Sequence, residues 1–270
     1  MISLFQSRSK MKCLAFLLLS LLFTGCTVTD SGTAPRALTV YAAASLTEAF
    51  TELGNAFEAS HPGVVISLNF GGSQNLRTQI EQGAPVDVFA SANQKEMDAL
   101  VSQDLVRRGA VKVFLTNRLV VILPKGNPAG ISSLEDLSQP GLKLVLAAEE
   151  VPAGSYARQV LEHLVARFGA EYRQQVLANV VSNEDNIRQV LTKVQLGEAD
   201  AGIVYVSDAV AVPELLQIEI PADANVIAEY PIATLAGTEV PELANEFIDY
   251  VLSPAGQATL EKWGFTPVVP

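Results

Sequence analysis

The chain has 270 residues, of which 49% are hydrophobic and 17% charged, a composition that excludes a disordered polymer and is long enough to bury a sizeable core. Eighteen Lys and Arg against 29 Asp and Glu give a net charge of −11, which opposes binding to nucleic acid or any other polyanion. No run of five or more like charges occurs, so the acid reads as a dispersed, solvated surface.

The first 26 residues are set apart by composition. Arg8, Lys10 and Lys12 precede the apolar run "CLAFLLLSLLF", which leads into "TGC" ending at Cys26. The apolar run is about half of the ~20 residues that a spanning helix needs, so the segment reads as an export signal and not as a permanent anchor. Phe23-Thr24-Gly25-Cys26 resembles a bacterial lipobox, with Phe23 where leucine is usual, and predicts lipidation of Cys26. A secretory signal cut nearby is the alternative. Removal of residues 1–25 leaves 15 basic residues against 29 acidic, about −14. Cys13 would leave with the signal, so Cys26 has no partner for an intramolecular disulfide and no cysteine metal site is available. Residues 27–37, "TVTDSGTAPRA", read as a polar tether to a folded body starting near Leu38.

From Leu38 strand and helix signals alternate. "LTVYAA" is a strand, and Leu46, Phe50, Leu53 and Phe57 then form an apolar stripe of helical period that His61-Pro62-Gly63 ends. "VVISLNF" is a strand, "SQNLRTQIEQG" a helix closed by Gly83, and "VDVFA" a buried strand leading to the helix of "NQKEMDALVSQ". A second series runs from "RLVVILPKG" through "LKLVLA", helices over 154–168, 170–178 and 184–197, and the strand "AGIVYV". "VIAEYPIATLAG" is a further strand, and 240–262 is helical with Pro254 dividing it. Repeated strand-helix-strand predicts parallel sheets with helices on both faces. The strand count favours two α/β lobes, with a small ligand in the cleft between them.

Three strand-to-helix junctions carry small or hydroxyl residues and no basic ones: Ala42 to Ser45, Gly71 to Ser73, and Pro152 to Ser155. A helix start leaves backbone N–H groups unpaired and bears a positive partial charge, so such a junction can hold an anion without Lys or Arg. Taken singly, each junction is explained as well by ordinary serine capping. Tyr205, at the end of an apolar strand, would by itself be read as a buried tyrosine bonded to backbone.

The segments "VYAAASLTEAF", "QIEQGAPVDVFASANQKEMDAL", "VPAGSYARQVL", "NIRQVLTKVQLGEADAGIVYVSDA" and "WGFTP", in this order from Leu38 to Phe265, together resemble the periplasmic molybdate-binding proteins of ABC-type molybdate importers. The resemblance implies a two-lobed clam-shell of the type II periplasmic-binding-protein kind, each lobe a mostly parallel sheet flanked by helices. It places lobe I at 38–116 plus 231–270 and lobe II at 117–230. It implies no catalysis and no cofactor, a bound molybdate or tungstate, a membrane permease as partner, and a monomer at the outer face of the cytoplasmic membrane or in the periplasm, held by the lipid on Cys26. The ligand positions it implies are the hydroxyls of Ser45, Ser73 and Tyr205 and the backbone N–H groups of Ala153 and Ile187, with Asn186 as the neighbouring candidate. The chain departs from relatives at "GGSQNL", where they often carry several hydroxyl residues in a row.

None of these five side chains is charged, and a site made only of donors favours an anion with no O–H of its own. Molybdate, tungstate and sulfate meet that condition near neutral pH, and partly protonated phosphate does not. Three other readings compete: a different oxyanion such as sulfate, a metal ion chelated by Glu184 and Asp185, and an exported hydrolase using Ser45 or Ser73. His61 and His163 lie a hundred residues apart and outside the junctions, with no metal-ligand spacing. Glu149-Glu150 and Glu184-Asp185 read as solvated helix ends.

Overall fold

The structure, a computed structural model, describes residues 36–268. The signal segment, Cys26 and the tether up to residue 35 fall outside these residues. Arg36 and Ala37, assigned to the tether above, are the first two residues of a strand, because Arg36 already pairs with Val64.

Four strands open the fold: β1 (Arg36–Ala43), β2 (Val64–Gly71), β3 (Val88–Ala90) and β4 (Lys112–Asn117). They alternate with α1 (Thr47–Ser60), α2 (Ser73–Glu81) and α3 (Gln94–Ser102). A single residue, Arg118, then separates β4 from β5 (Leu119–Leu123), the first strand of a second sheet. That sheet adds β6 (Leu144–Ala147), β7 (Val180–Glu184), β8 (Ala201–Tyr205) and β9 (Leu216–Glu219), with α4 (Pro152–Phe168), α5 (Tyr172–Ala178), α6 (Ile187–Gln195) and α7 (Val206–Ala211) around it. The chain returns to the first sheet through β10 (Ala228–Thr234), α8 (Pro241–Leu252), α9 (Pro254–Lys262) and β11 (Thr266–Pro267). The strand orders are β11-β4-β10-β3-β1-β2 and β7-β6-β8-β5-β9.

The elements follow from their residues. On α1 the faces of Phe50, Leu53 and Phe57 are fully buried, as their spacing predicts, and Phe50 packs edge-on against Phe114 of β4 with ring centroids 5.8 Å apart. Asn93 caps α3 by accepting the Glu96 N–H at 3.1 Å. Pro254 starts α9 where its missing N–H costs nothing, and Ser253 caps the same helix through the Gly256 N–H.

The sheets are α/β and flanked by helices, as expected, but they are mixed and not mostly parallel. β1 runs parallel to β2 and β3, and β6 parallel to β7 and β8. β10 runs antiparallel to both β3 and β4, and β5 antiparallel to both β8 and β9. The reason is directional. The strands that precede helices end where the two sheets face each other, whereas β5 and β10 enter their sheet from the other half and so begin there. Leu119 accordingly lies opposite Tyr205, and Ala228 opposite Asn117.

Several elements are not visible in the sequence pattern. β7 ("VVSNE") and β9 ("LQIE") are edge strands with exposed residues, so their apolar signal is weak. β4 merges in sequence with β5, broken only by Thr116-Asn117-Arg118. The helix expected over 184–197 divides into the last residue of β7 and α6, because Asn186 stops the strand and caps the helix.

Candidate functional site

Four helix starts and one strand end converge on a single cavity between the two sheets. The run from β1 turns through one 3-10 turn (Ala44–Leu46) into α1, β2 leads into α2, the loop after β6 into α4, and β7 into α6, while β8 ends at Tyr205. The cavity is small, about 220 Å3 of space counted out to its open mouth, and so suits a small ion. Ser45, Ser73, Ala153, Ile187 and Tyr205 all line it, together with Asn186, Ala92 and the glycines Gly71 and Gly72. The five residues singled out in the sequence come from five separate stretches of chain, two beside the first sheet and three beside the second, and each is at least 97% buried.

The donors arise locally. Ser45 is the second residue of its helical run and Ser73 the first of α2, positions whose N–H groups have no intrahelical acceptor. In α4, Pro152 contributes no N–H and the first bond back is Ser155 N–H to the Val151 carbonyl at 3.0 Å, which leaves Ala153 as the first donor. In α6 the Asn186 carboxamide oxygen accepts the N–H groups of Arg188 and Gln189 at 3.0 and 3.2 Å. The Asn186 oxygen is thereby committed to capping, and the Ile187 N–H is the helix-start donor that it leaves free.

The hydroxyls are arranged to donate as well. Ser73 Oγ accepts the Ala92 N–H at 3.0 Å, which leaves its own proton available. Ser45 Oγ lies 2.9 Å from Tyr230 Oη, so a proton given by Tyr230 frees that of Ser45. Tyr205 Oη is fully buried, with the Tyr230 hydroxyl as its polar neighbour but no described residue in good hydrogen-bond geometry, so it is not tied to backbone as a lone strand-end tyrosine would be. Burial, reinforced by Tyr230, Tyr156 and Asp208, raises the Tyr205 pKa far above its ordinary value, so the phenol keeps its proton. An orphaned buried hydroxyl costs about 1–3 kcal/mol, which a ligand acceptor would recover.

Among the described residues, none that lines the cavity is charged. An ionic group follows directly on one lining residue, Ile187. Arg188 pairs with Glu48 of α1, and its Nε lies 3.4 Å from the Asp208 carboxylate of α7. Asp208 is wholly buried and accepts the Tyr205 N–H at 3.2 Å. These three residues, with Tyr230 and Ala92, are the neighbours of the site that the sequence reading missed. Tyr230 sat inside a strand signal, and nothing local distinguished it from a packing residue.

The competing chemistries find no support in the geometry. Ser45 and Ser73 have as neighbours a phenol and a backbone N–H, and neither histidine lines the cavity. His61 Nδ1 lies 2.8 Å from the Phe57 carbonyl, and His163 Nδ1 3.1 Å from that of Ala224. No group of three or more His, Cys, Asp or Glu suited to a metal ion occurs among the described residues. Glu184 is not a solvated helix end as expected. It is buried at the end of β7, where Lys193 at 2.6 Å and Ser182 satisfy its carboxylate. Asp185 is exposed.

The chain is similar to several known proteins. The molybdate-binding protein ModA of Mycobacterium tuberculosis is 41% identical over 231 residues, covering 85% of this chain and 84% of its own. Its namesake in Escherichia coli is 34% identical over 236 residues, with 85% and 88% covered. The fold matches that of the periplasmic molybdate-binding protein of Azotobacter vinelandii with a TM-score of 0.75 at 21% identity, over 86% of this chain and 99% of the other. Residues 38–266 match the family described as bacterial extracellular solute-binding protein, and the chain belongs to that family.

Proposed function

We propose that this protein captures molybdate outside the cytoplasm and delivers it to the permease of an ABC-type importer. Tungstate, of the same charge and shape, would be a second ligand. The observation that carries the reading is the donor set. Two serine hydroxyls, an orphaned tyrosine hydroxyl and helix-start N–H groups surround a small buried cavity without a cation or a carboxylate in its lining.

Ser45 and Ser73 come from the half that contains β1 and β2, and Ala153, Ile187 and Tyr205 from the half that contains β6 to β8. An anion entering an open cleft would meet one set and draw in the other, so that the closed form alone satisfies all four oxygens. Such a site binds and does not turn over its ligand. A dianion with four bare oxygens uses every donor, whereas an oxygen carrying a proton would face a donor and lose a hydrogen bond. Phosphate is thereby disfavoured. The lobes proposed are 38–116 with 231–270 and 117–230, and export with lipidation of Cys26 would tether a monomer beside its permease.

Titration calorimetry with molybdate, tungstate, sulfate and phosphate tests the reading. Saturable one-to-one binding of molybdate and tungstate, with phosphate at least about a hundredfold weaker, is the expected result. Absence of binding by molybdate, tungstate and sulfate alike would refute it.

A further inference from the structure

Arg188 follows directly on Ile187, yet its side chain turns away from the cavity that Ile187 lines. It crosses the cleft. Arg188 Nε donates to the carbonyl of Ala44 at 3.2 Å, and a terminal nitrogen pairs with Glu48, both in the other half of the molecule. On its own side the guanidinium faces Asp208, 3.4 Å from Nε, and Asp208 in turn accepts the Tyr205 N–H. We propose that Arg188 is the positioning residue of the closed site, clasping the Ala44 carbonyl and Glu48 across the cleft so that donors from both halves are presented to one anion.

The peptide group decides the argument. The Ala44 carbonyl and the Ser45 N–H belong to the same trans peptide and point in opposite directions. Arg188 therefore holds the back of the unit whose front is the Ser45 N–H, a helix-start group without an intrahelical acceptor, on a residue that lines the cavity. A charged donor on the carbonyl polarises the peptide and strengthens the N–H on its far side. At the same time the clasp fixes the distance between the start of α6, which carries the Ile187 N–H, and the turn that carries Ser45. Asp208 extends the chain of contacts to the backbone of Tyr205. One side chain thus touches the supports of three ligand groups and no ligand. Gln74 of α2 also reaches toward the start of α6, donating through Nε2 to the Asp185 carbonyl at 2.9 Å, but that contact is exposed and uncharged.

The inference rests on the oxyanion reading of the cavity, and stopped-flow kinetics with molybdate separates the two. The proteins compared are the wild type, Arg188→Gln, Arg188→Lys and Glu48→Gln. A clasp formed only after closure holds the ligand in and has little part in the first encounter, so its loss acts on dissociation. Arg188→Gln and Glu48→Gln are expected to raise the dissociation rate about tenfold or more with association changed less than about threefold. Arg188→Lys should behave like Gln, because one ammonium cannot serve the carbonyl and the carboxylate in the fixed geometry of the guanidinium. A merely structural ion pair would lower the melting temperature of the ligand-free protein and leave dissociation alone. If Arg188→Gln fails to fold because Asp208 is left unpaired, Glu48→Gln carries the test from a half-exposed position. Dissociation rates within about threefold of wild type in the folded variants would overturn the clasp. A wild type that binds no oxyanion would instead overturn the reading of the cavity, and the clasp with it.

Discussion

Tyr205 is the residue on which the site turns, because a buried hydroxyl without a partner is a standing cost unless something with an acceptor completes it. Tyr205→Phe should keep the fold and weaken molybdate by about 1.5–3 kcal/mol, the value of a hydrogen bond to a charged acceptor, or roughly 10- to 150-fold. Calorimetry on the variant checks this, and unchanged affinity would show that the hydroxyl is not a ligand. Asp208, beside it, makes a prediction about pH. Burial pushes its carboxyl up from 3.8 to about 7, with Arg188 and the Tyr205 N–H pulling it down and Glu48 pushing it up. A carboxyl whose folded value is the higher binds a proton on folding between those two values, so its contribution to stability falls as pH rises from about 4 to about 7. Asp208→Asn should therefore lose less melting temperature between pH 5 and pH 8 than the wild type does, as measured by thermal unfolding, and a parallel profile would contradict it. At this scale the sequence was informative where a residue type is rare for its place, as with hydroxyls and alanines at strand ends. It was silent on Tyr230, Arg188 and Glu48, whose roles exist only through contacts with residues 140 or more positions away.

The helix starts are the working elements, and two glycines show how tightly they are set. Gly72 precedes α2 with φ of −62°, a conformation open to any residue, so its need for glycine is one of space. A Cβ there would lie 2.5 Å from the Asp185 carbonyl across the cleft. Gly72→Ala should leave the ligand-free melting temperature close to wild type and weaken molybdate by about tenfold or more, because the Gln74 side-chain end at 2.6 Å can move aside whereas the backbone clash exists only where the two junctions approach. Equal affinity would mean that the halves need not come this close. Gly154, one residue after Ala153, would place a Cβ 1.9 Å from the Ala148 carbonyl and 2.4 Å from that of Ala147. Gly154→Ala must push the start of α4 off the end of β6, and a loss of about 1–3 kcal/mol in denaturant unfolding is expected. Elements with a strong period and a cap, such as α1 and α3, could be read from the sequence. The edge strands β7 and β9 could not, since a strand paired on one side and half exposed carries no clean alternation. Asn186 was legible as a residue but not in its role: only the geometry shows its side-chain oxygen capping α6, with the Ile187 N–H left free.

For the whole molecule, the two crossings explain both the mixed sheets and the site. Because β5 and β10 begin where the two sheets face each other, the connections through Arg118 and through residues 220–227 lie at the junction of the two halves. Asn225 ties the second crossing to the first by accepting the Leu119 N–H and donating to the Leu119 carbonyl, at 3.0 and 2.8 Å. Movement of one half on the other would pivot there, which is why strand ends from both halves can close on one small ion inside an acidic protein. The alternation of strand and helix made two α/β halves readable in the sequence. The antiparallel crossings were not, because strand direction within a sheet is a property of the connections and leaves no trace in apolar pattern. The central claim is that an uncharged set of N–H and O–H donors from both halves holds a doubly negative ion. The most direct measurement is a crystal grown with molybdate and recorded at the molybdenum absorption edge. The anomalous peak should lie in the cavity, with the oxygens of the ion within hydrogen-bond distance of Ser45, Ser73 and Tyr205 hydroxyls and the N–H groups of Ala153 and Ile187. A peak elsewhere, or an ion held chiefly by lysine or arginine, would contradict the account.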